Sequence, residues 1–167
     1  MVEQFIREIK TQCFFNHPNI VKVYGYFDDL LHLYIIMECA LDQRLSDMLK
    51  ENKLAEKEGA TVFYQLCSAI SQLHSSLVIH RDLKPENVMI HEGVVKLCDF
   101  GWSVYRGSQL RTTFCGTPLY LSPEILVGDS YDESVDIWAL GIILYEMVVG
   151  EGPFKITRSE ELTKILH

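Results

Sequence analysis

A chain of 167 residues, 48% apolar and 11% aromatic, has no compositional extreme and is long enough to bury one sizeable core, so a single globular unit is expected. Its 15 basic and 23 acidic residues leave a formal charge of −8, which argues against nucleic acid or an anionic membrane as the main partner. The opening MVEQFIREIK lacks an apolar signal core, no run approaches the ~18 apolar residues of a membrane span, and Cys13, Cys39, Cys67, Cys98 and Cys115 show no C-x-x-C spacing, so buried free thiols in a reducing intracellular setting are expected.

In chain order, Phe5, Ile6, Ile9 and Cys13 recur at helical spacing, which predicts an amphipathic helix over 3–15 that stops at Asn16-His17-Pro18. IVKVYGYF (20–27) and LHLYIIM (31–37), separated by Asp28-Asp29-Leu30, read as two strands of a small sheet. The pattern then turns helical, with a short helix over 45–50 and a long one carrying Ala55, Val62, Phe63, Leu66, Ile70 and Leu73. NVMI and VVKL, joined by His91-Glu92-Gly93, read as a second hairpin. Residues 99–124, broken by Gly101, Gly107, Gly116, Pro118 and Pro123, show little regular pattern, and loops of that length are usually functional or disordered. DESVDIWALGIILYEMVVG closes the series as a helix apolar nearly all round, expected to be a buried axis, and Asp136 and Glu146 exclude a membrane span. There is no internal repeat.

The chemistry concentrates in VIHRDLKPENVMI, residues 78–90. An acid that can accept a hydroxyl proton (Asp82), an ammonium that can offset charge on a phosphoryl group (Lys84) and a carboxamide that can hold a divalent ion (Asn87) together describe a phosphoryl-transfer loop. Asp99-Phe100-Gly101 follows a predicted strand, and its carboxylate suits a second metal ligand.

HRDLKPEN (80–87), DFG (99–101), SPE (122–124) and DIWALG (136–141) resemble, in this order, the catalytic, metal-binding, activation-segment and central-helix motifs of eukaryotic protein kinases, with Lys84 marking the serine/threonine branch. The resemblance covers essentially the whole chain and implies ATP and Mg2+ as cofactors and proteins as substrates. Asp82 would orient or deprotonate the substrate hydroxyl, Lys84 contact the γ-phosphate, Asn87 and Asp99 hold magnesium, and Thr117 brace Asp82 and Lys84. Met37 resembles the gatekeeper residue. Glu38, Ala40, Glu86 and Met89 fall at positions that border the nucleotide, Met89 beneath the adenine ring. Glu8 matches the helix acid that pairs with a nucleotide-binding lysine.

DFGWSV and RTTFCGT narrow the resemblance to the Aurora kinases of cell division, and Gln12, one turn after Glu8, matches an Aurora glutamine, although its residue type alone predicts an exposed helix-surface amide. TPLYLSPE, by contrast, is closer to the NIMA-related kinases, and Cys98 stands where Auroras carry a small alanine. The resemblance implies that a cysteine just before DFG faces the nucleotide, which would make Cys98 either a reactive thiol or, as is expected here, a packed, inert one. Arg81 precedes the catalytic Asp, which in this family implies a phosphate on the activation segment to balance it. Thr113 is the expected site, beside Thr112, and Arg7, Arg81 and Arg111 would receive its phosphate.

The implied fold is α+β: a two-lobed protein-kinase-like fold truncated at both ends, with residues 1–37 a partial N-lobe containing helix C and two strands, 38–43 a hinge, and 44–167 a mostly helical partial C-lobe with its activation segment at 99–124. Neither a glycine-rich loop nor the strand lysine that grips ATP precedes Glu8. Exposed core faces and low stability are therefore expected of the chain alone. The expected function is an Aurora-like serine/threonine kinase acting in mitosis, with an Aurora-type activator and location in cytoplasm or nucleus, at spindle, centrosome or chromosomes. The alternative is a catalytically dead fragment that competes for partners or substrates; intact Asp82 and Asp99 speak against it. A small-molecule kinase fits poorly, because GTPLY is shaped to receive a peptide.

Overall fold

The computed structural model describes residues 9, 12–29, 31–40, 42–52, 54–106 and 112–154. Arg7, Glu8 and Arg111, for which roles are expected above, lie outside the described residues. Ile9 and 12–14 are helical, within the predicted first helix.

Strands β1 (Val23–Asp28) and β2 (Leu33–Met37) form an antiparallel pair. Both begin later than the alternation predicts. Residues 20 and 21 belong to a different sheet edge, because Ile20 bridges Leu97 in parallel and the Val21 amide donates to the Leu97 carbonyl at 2.9 Å. Strand β3 (Gln43–Arg44) leads directly into α1 (Leu45–Glu51), then α2 (Glu56–Ser75), β4 (Val78–Ile79), β5 (Val88–His91), β6 (Val94–Leu97) and β7 (Val104–Tyr105). The helices α3 (Pro123–Val127) and α4 (Ser134–Val149) complete the order. Among the described residues three small sheets result, β1-β2, β3-β5-β6 and β4-β7. Residues 99–124 are therefore less irregular than expected, since β7, a 3-10 turn at Pro118–Tyr120 and the start of α3 fall within them.

Local chemistry accounts for most of these elements. In α2 the buried Gly59, Val62, Leu66, Ala69, Ile70 and Leu73 fall on one stripe at three- and four-residue steps, with Glu56 and Glu58 in the first turn where the helix dipole favours acids. The β5-β6 hairpin closes through Glu92 (φ 50°) and Gly93 (φ 77°), a two-residue turn with both φ positive, which matches the right-handed twist of the strands. Both α3 and α4 end on a left-handed glycine, Gly128 and Gly150.

The main core joins α2 and α4 to β5 and β6 through Leu66, Leu73, Val88, Val95, Leu97 and Ile143. Asn19 fastens the preceding turn to it, its side-chain amide donating to Gln65 Oε1 (2.9 Å) and to the Val95 carbonyl (3.0 Å). A second cluster, Ile79, Val104, Leu121, Ile125, Tyr131 and Val135, lies under the 99–124 segment.

Three sequence expectations are corrected here. Gln12 is buried, and its amide donates to the Val21 carbonyl at 3.1 Å; the chain brings that carbonyl over the helix, which the helix's own periodicity does not record. Helix α4 is not buried all round: Val135, Ala139, Ile142, Ile143 and Met147 face the core, while Ile137, Tyr145 and Val148 face solvent. The five cysteines are free, but only Cys115 is buried, and Cys39 is exposed just after β2, whose side chains largely face solvent. No helix among the described residues is long and apolar enough to cross a membrane.

Candidate active site

The loop from β4 to β5 carries the expected acid, ammonium and carboxamide, and its shape comes from a carboxylate distant in sequence. Asp136, on the first turn of α4, accepts the backbone N–H of His80 through Oδ2 and that of Arg81 through Oδ1, each at 2.9 Å, and His74 Nε2 contacts Oδ2 at 2.8 Å. Asp136 is 1% exposed, so these partners satisfy a charge that water cannot reach. Arg81 is held at φ 70°, a conformation that an L-residue adopts only when its surroundings over-determine it. Asp99, at φ 62°, is the second such residue at the site.

Asp82, Lys84 and Thr117 form a closed triangle. Lys84 Nζ lies 2.8 Å from Asp82 Oδ2 and donates to Thr117 Oγ1 at 2.9 Å, and Thr117 Oγ1 donates to Asp82 Oδ1 at 2.9 Å. Asn87 closes the loop from behind, its Nδ2 donating to the Asp82 carbonyl at 2.9 Å and to Oδ2 at 3.3 Å. Thr117 reaches Asp82 because Gly116, at φ 108°, passes against the loop: a Cβ there would sit 2.7 Å from the Arg81 carbonyl oxygen.

The Asn87 carbonyl accepts the Cys98 amide at 3.0 Å and the Cys98 thiol at 3.2 Å, which ties the step into Asp99 to the β4–β5 loop. Asp99 itself is exposed and accepts the Gly101 amide at 3.2 Å. Burial, with the Asp99 carboxylate adding to it, pushes the Cys98 thiol up to about 11, so at neutral pH it is a thiol and a poor nucleophile, in keeping with the packed, inert expectation. His80 is fully buried, edge-on to Phe100 with centroids 5.1 Å apart. Desolvation holds it below the ordinary histidine range against the pull of Asp136, Asp82 and Asp99.

At the other border of the site, Glu38 pairs with Lys96 and accepts the Lys22 amide at 3.1 Å. Burial pushes Glu38 up, but those hydrogen bonds bring it below its ordinary value. Ala40 is buried, Glu86 is exposed in the 3-10 turn Pro85–Asn87, and Met89 stands opposite Arg44 on β3 and Lys96 on β6. Met37 is exposed.

Of the expected regulatory residues, Thr112 and Thr113 have exposed side chains. Taken singly, Arg81 reads as a solvated surface charge, but its Nε donates to the Trp102 carbonyl at 2.6 Å and its Nη1 to the Tyr131 hydroxyl at 2.9 Å. The structural roles of Asp136 and Tyr131 do not emerge from the sequence reading. For Asp136 a signal existed, an acid at the start of a strongly apolar helix; for Tyr131 there was none.

The protein kinase domain model matches residues 1–167. The Aurora kinase of Candida glabrata is 44% identical over 167 residues, 98% of this chain and 46% of the relative. Aurora kinase A-A of Xenopus laevis is 42% identical over 160 residues, covering 95% and 39%, and Aurora/IPL1-related protein kinase 2 of Caenorhabditis elegans is 43% identical over 154 residues, covering 91% and 50%. The chain thus spans half or less of the length of these curated relatives.

Proposed function

The chain belongs to the protein kinase domain family, and from that premise we propose that it carries the phosphoryl-transfer centre of an ATP-dependent serine/threonine protein kinase of Aurora type, acting on proteins in the control of mitosis. The observation that carries this reading is the closed triangle of Asp82, Lys84 and Thr117, backed by Asn87. A carboxylate held on both oxygens points at one place, which is what a group that orients a hydroxyl and takes its proton requires. Lys84 brings the positive charge that a transferring γ-phosphoryl group needs beside that hydroxyl.

Asn87 and Asp99 fit a magnesium ion. The Asn87 amide nitrogen is engaged with Asp82, so its oxygen is the end offered to a cation, and Asp99 is an exposed carboxylate; both are hard oxygen donors of the kind Mg2+ selects. When bound, the ion would neutralise charge on the nucleotide phosphates. In the same reading the backbone of Glu38 and Ala40 faces adenine, Met89 lies beneath it and Glu86 stands at the edge of the nucleotide site. An Aurora-type activator and association with spindle, centrosome or chromosomes also belong to this reading.

Replacing Asp82→Asn keeps the shape of the loop but removes the proton acceptor, and should lower kcat of the whole protein by about 10²-fold or more with unchanged circular dichroism. Near-normal turnover in that variant would remove Asp82 from its role. Thr113 is the proposed phosphorylation site of the active protein, since its side chain is exposed while its carbonyl is one hydroxyl away from the Arg81 guanidinium. Phosphopeptide mapping of active protein should find the phosphate on Thr113; finding it on Thr112 or on neither threonine counts against this.

A further inference from the structure

Tyr131 has no part in the phosphoryl-transfer loop, yet its hydroxyl sits where three segments meet. The ring is buried among Ile79, Val104, Leu121, Ile125 and Val135. The hydroxyl oxygen accepts from Arg81 Nη1 at 2.9 Å, and its proton goes to the backbone carbonyl of Thr113 at 2.9 Å. Cys115 Sγ lies 3.9 Å from the same oxygen. Since Arg81 Nε also donates to the Trp102 carbonyl at 2.6 Å, one guanidinium holds the start of the 99–124 segment directly and its far arm through a tyrosine. Nearby in the same turn, Glu133 pairs with Arg106, the residue that follows β7. The turn before α4 therefore grips both arms of the segment.

We propose that Tyr131 is a positioning residue that docks the outgoing arm of the activation segment onto Arg81 before any phosphate is attached to Thr113. The arm it docks is the one that ends at the catalytic loop: Gly116 lies against the Arg81 carbonyl and Thr117 donates to Asp82. A phenol hydroxyl can bridge a guanidinium to a carbonyl, but it carries no charge. A phosphate on Thr113 offers Arg81 a bidentate, charge-assisted partner and displaces the tyrosine from its share of the work. Tyr131 matters most in the unmodified protein, and its contribution shrinks once Thr113 is phosphorylated. The second statement rests on the regulatory reading proposed above; the first does not.

The test is Tyr131→Phe in the whole protein, which keeps the buried ring and removes one oxygen. In the unmodified protein, amide hydrogen exchange over 112–117 should accelerate about tenfold, the scale of a hydrogen bond to a charged group, while β5 and β6 exchange at the wild-type rate and Tm stays close to wild type. With phosphothreonine installed at 113, the same substitution should change that exchange less than about twofold. Unchanged exchange over 112–117 in the unmodified protein overturns the proposal, as does uniform acceleration across the molecule with a fall in Tm, which would make Tyr131 a core residue only. An equal effect with and without the phosphate overturns the handover from tyrosine to phosphate. If mapping shows that Thr113 carries no phosphate in the active protein, the regulatory reading fails, and exchange in the unmodified protein still decides the docking role.

Discussion

Around Asp82, the side chains of Leu83, Val88, Leu97 and Phe100 are at most 1% exposed, whereas on the β1-β2 hairpin Tyr24 is 68% and Ile36 50% exposed. The two regions are also tied down differently. The β4–β5 loop is fastened from outside itself, by Asp136 and Thr117, whereas the hairpin relies on its own ladder, on the Phe27–Tyr34 stack at 4.8 Å and on Asp29, which accepts the Leu31 and His32 amides and the Tyr34 hydroxyl. A site that holds an ammonium and a carboxamide both within hydrogen-bond reach of one acid needs distant anchors, because a loop's own hydrogen bonds leave its conformation under-determined. Strand pairing needs only neighbours. Substitutions should therefore be costly in the first region and mild in the second.

The contrast is broken most directly at Asp136. Asp136→Ala leaves the buried His80 and Arg81 amides without their acceptor, and should cost about 3–5 kcal/mol in urea unfolding; a loss under about 1 kcal/mol would show that the loop holds itself. The next effect is the pH dependence that His80 brings to the buried side. His80 has its folded pKa below the unfolded value of 6.5, chiefly through desolvation, so the unfolded chain binds a proton that the folded one refuses. Its stability contribution is complete above pH 6.5 and is lost as pH falls below it, so the urea midpoint should drop between pH 7.5 and 5.5. Substituting His80→Phe, which keeps an aromatic ring against Phe100, should reduce that slope and leave the smaller share of His17, also lowered by burial. Glu146 works in the opposite sense from a carboxylate's range, since burial raises it. A midpoint that rises on acidification would contradict the assignment. The smallest effect belongs to the hairpin: Tyr24→Thr should stay within about 0.5 kcal/mol of wild type, and a loss several times larger would mean that this face is packed against something.

Much of this architecture is legible in the residues because it is local. The stripe of α2, the Glu92-Gly93 turn and the glycine that ends α4 are each decided within a few positions, and the structure places those elements within a residue or two of expectation. The site's chemistry is equally local, since Asp82, Lys84 and Asn87 share one short loop. The boundaries that moved are those under long-range control: residues 20–22 alternate like a strand of the hairpin, yet residues 20 and 21 join Leu97 instead. Gln12 reads as a surface amide because no property of a helix reveals which carbonyl the chain will lay across it. The apolar surround of α4 suggests complete burial, but hydrophobicity states only what can be buried, and Ile137, Tyr145 and Val148 remain in contact with solvent.

The sequence alone carried the resemblance to protein kinases, through its ordered motifs, and the longer helices and the hairpins, through periodicity and turn chemistry that act over a handful of bonds; the short elements β3, β4, β7 and α3 were not among them. Tertiary structure decided how those groups are held. Asp136 reaches the β4–β5 loop across 56 residues and Tyr131 reaches Arg81 across 50, and contacts of that span depend on the path of the whole chain, which no short stretch of residues encodes.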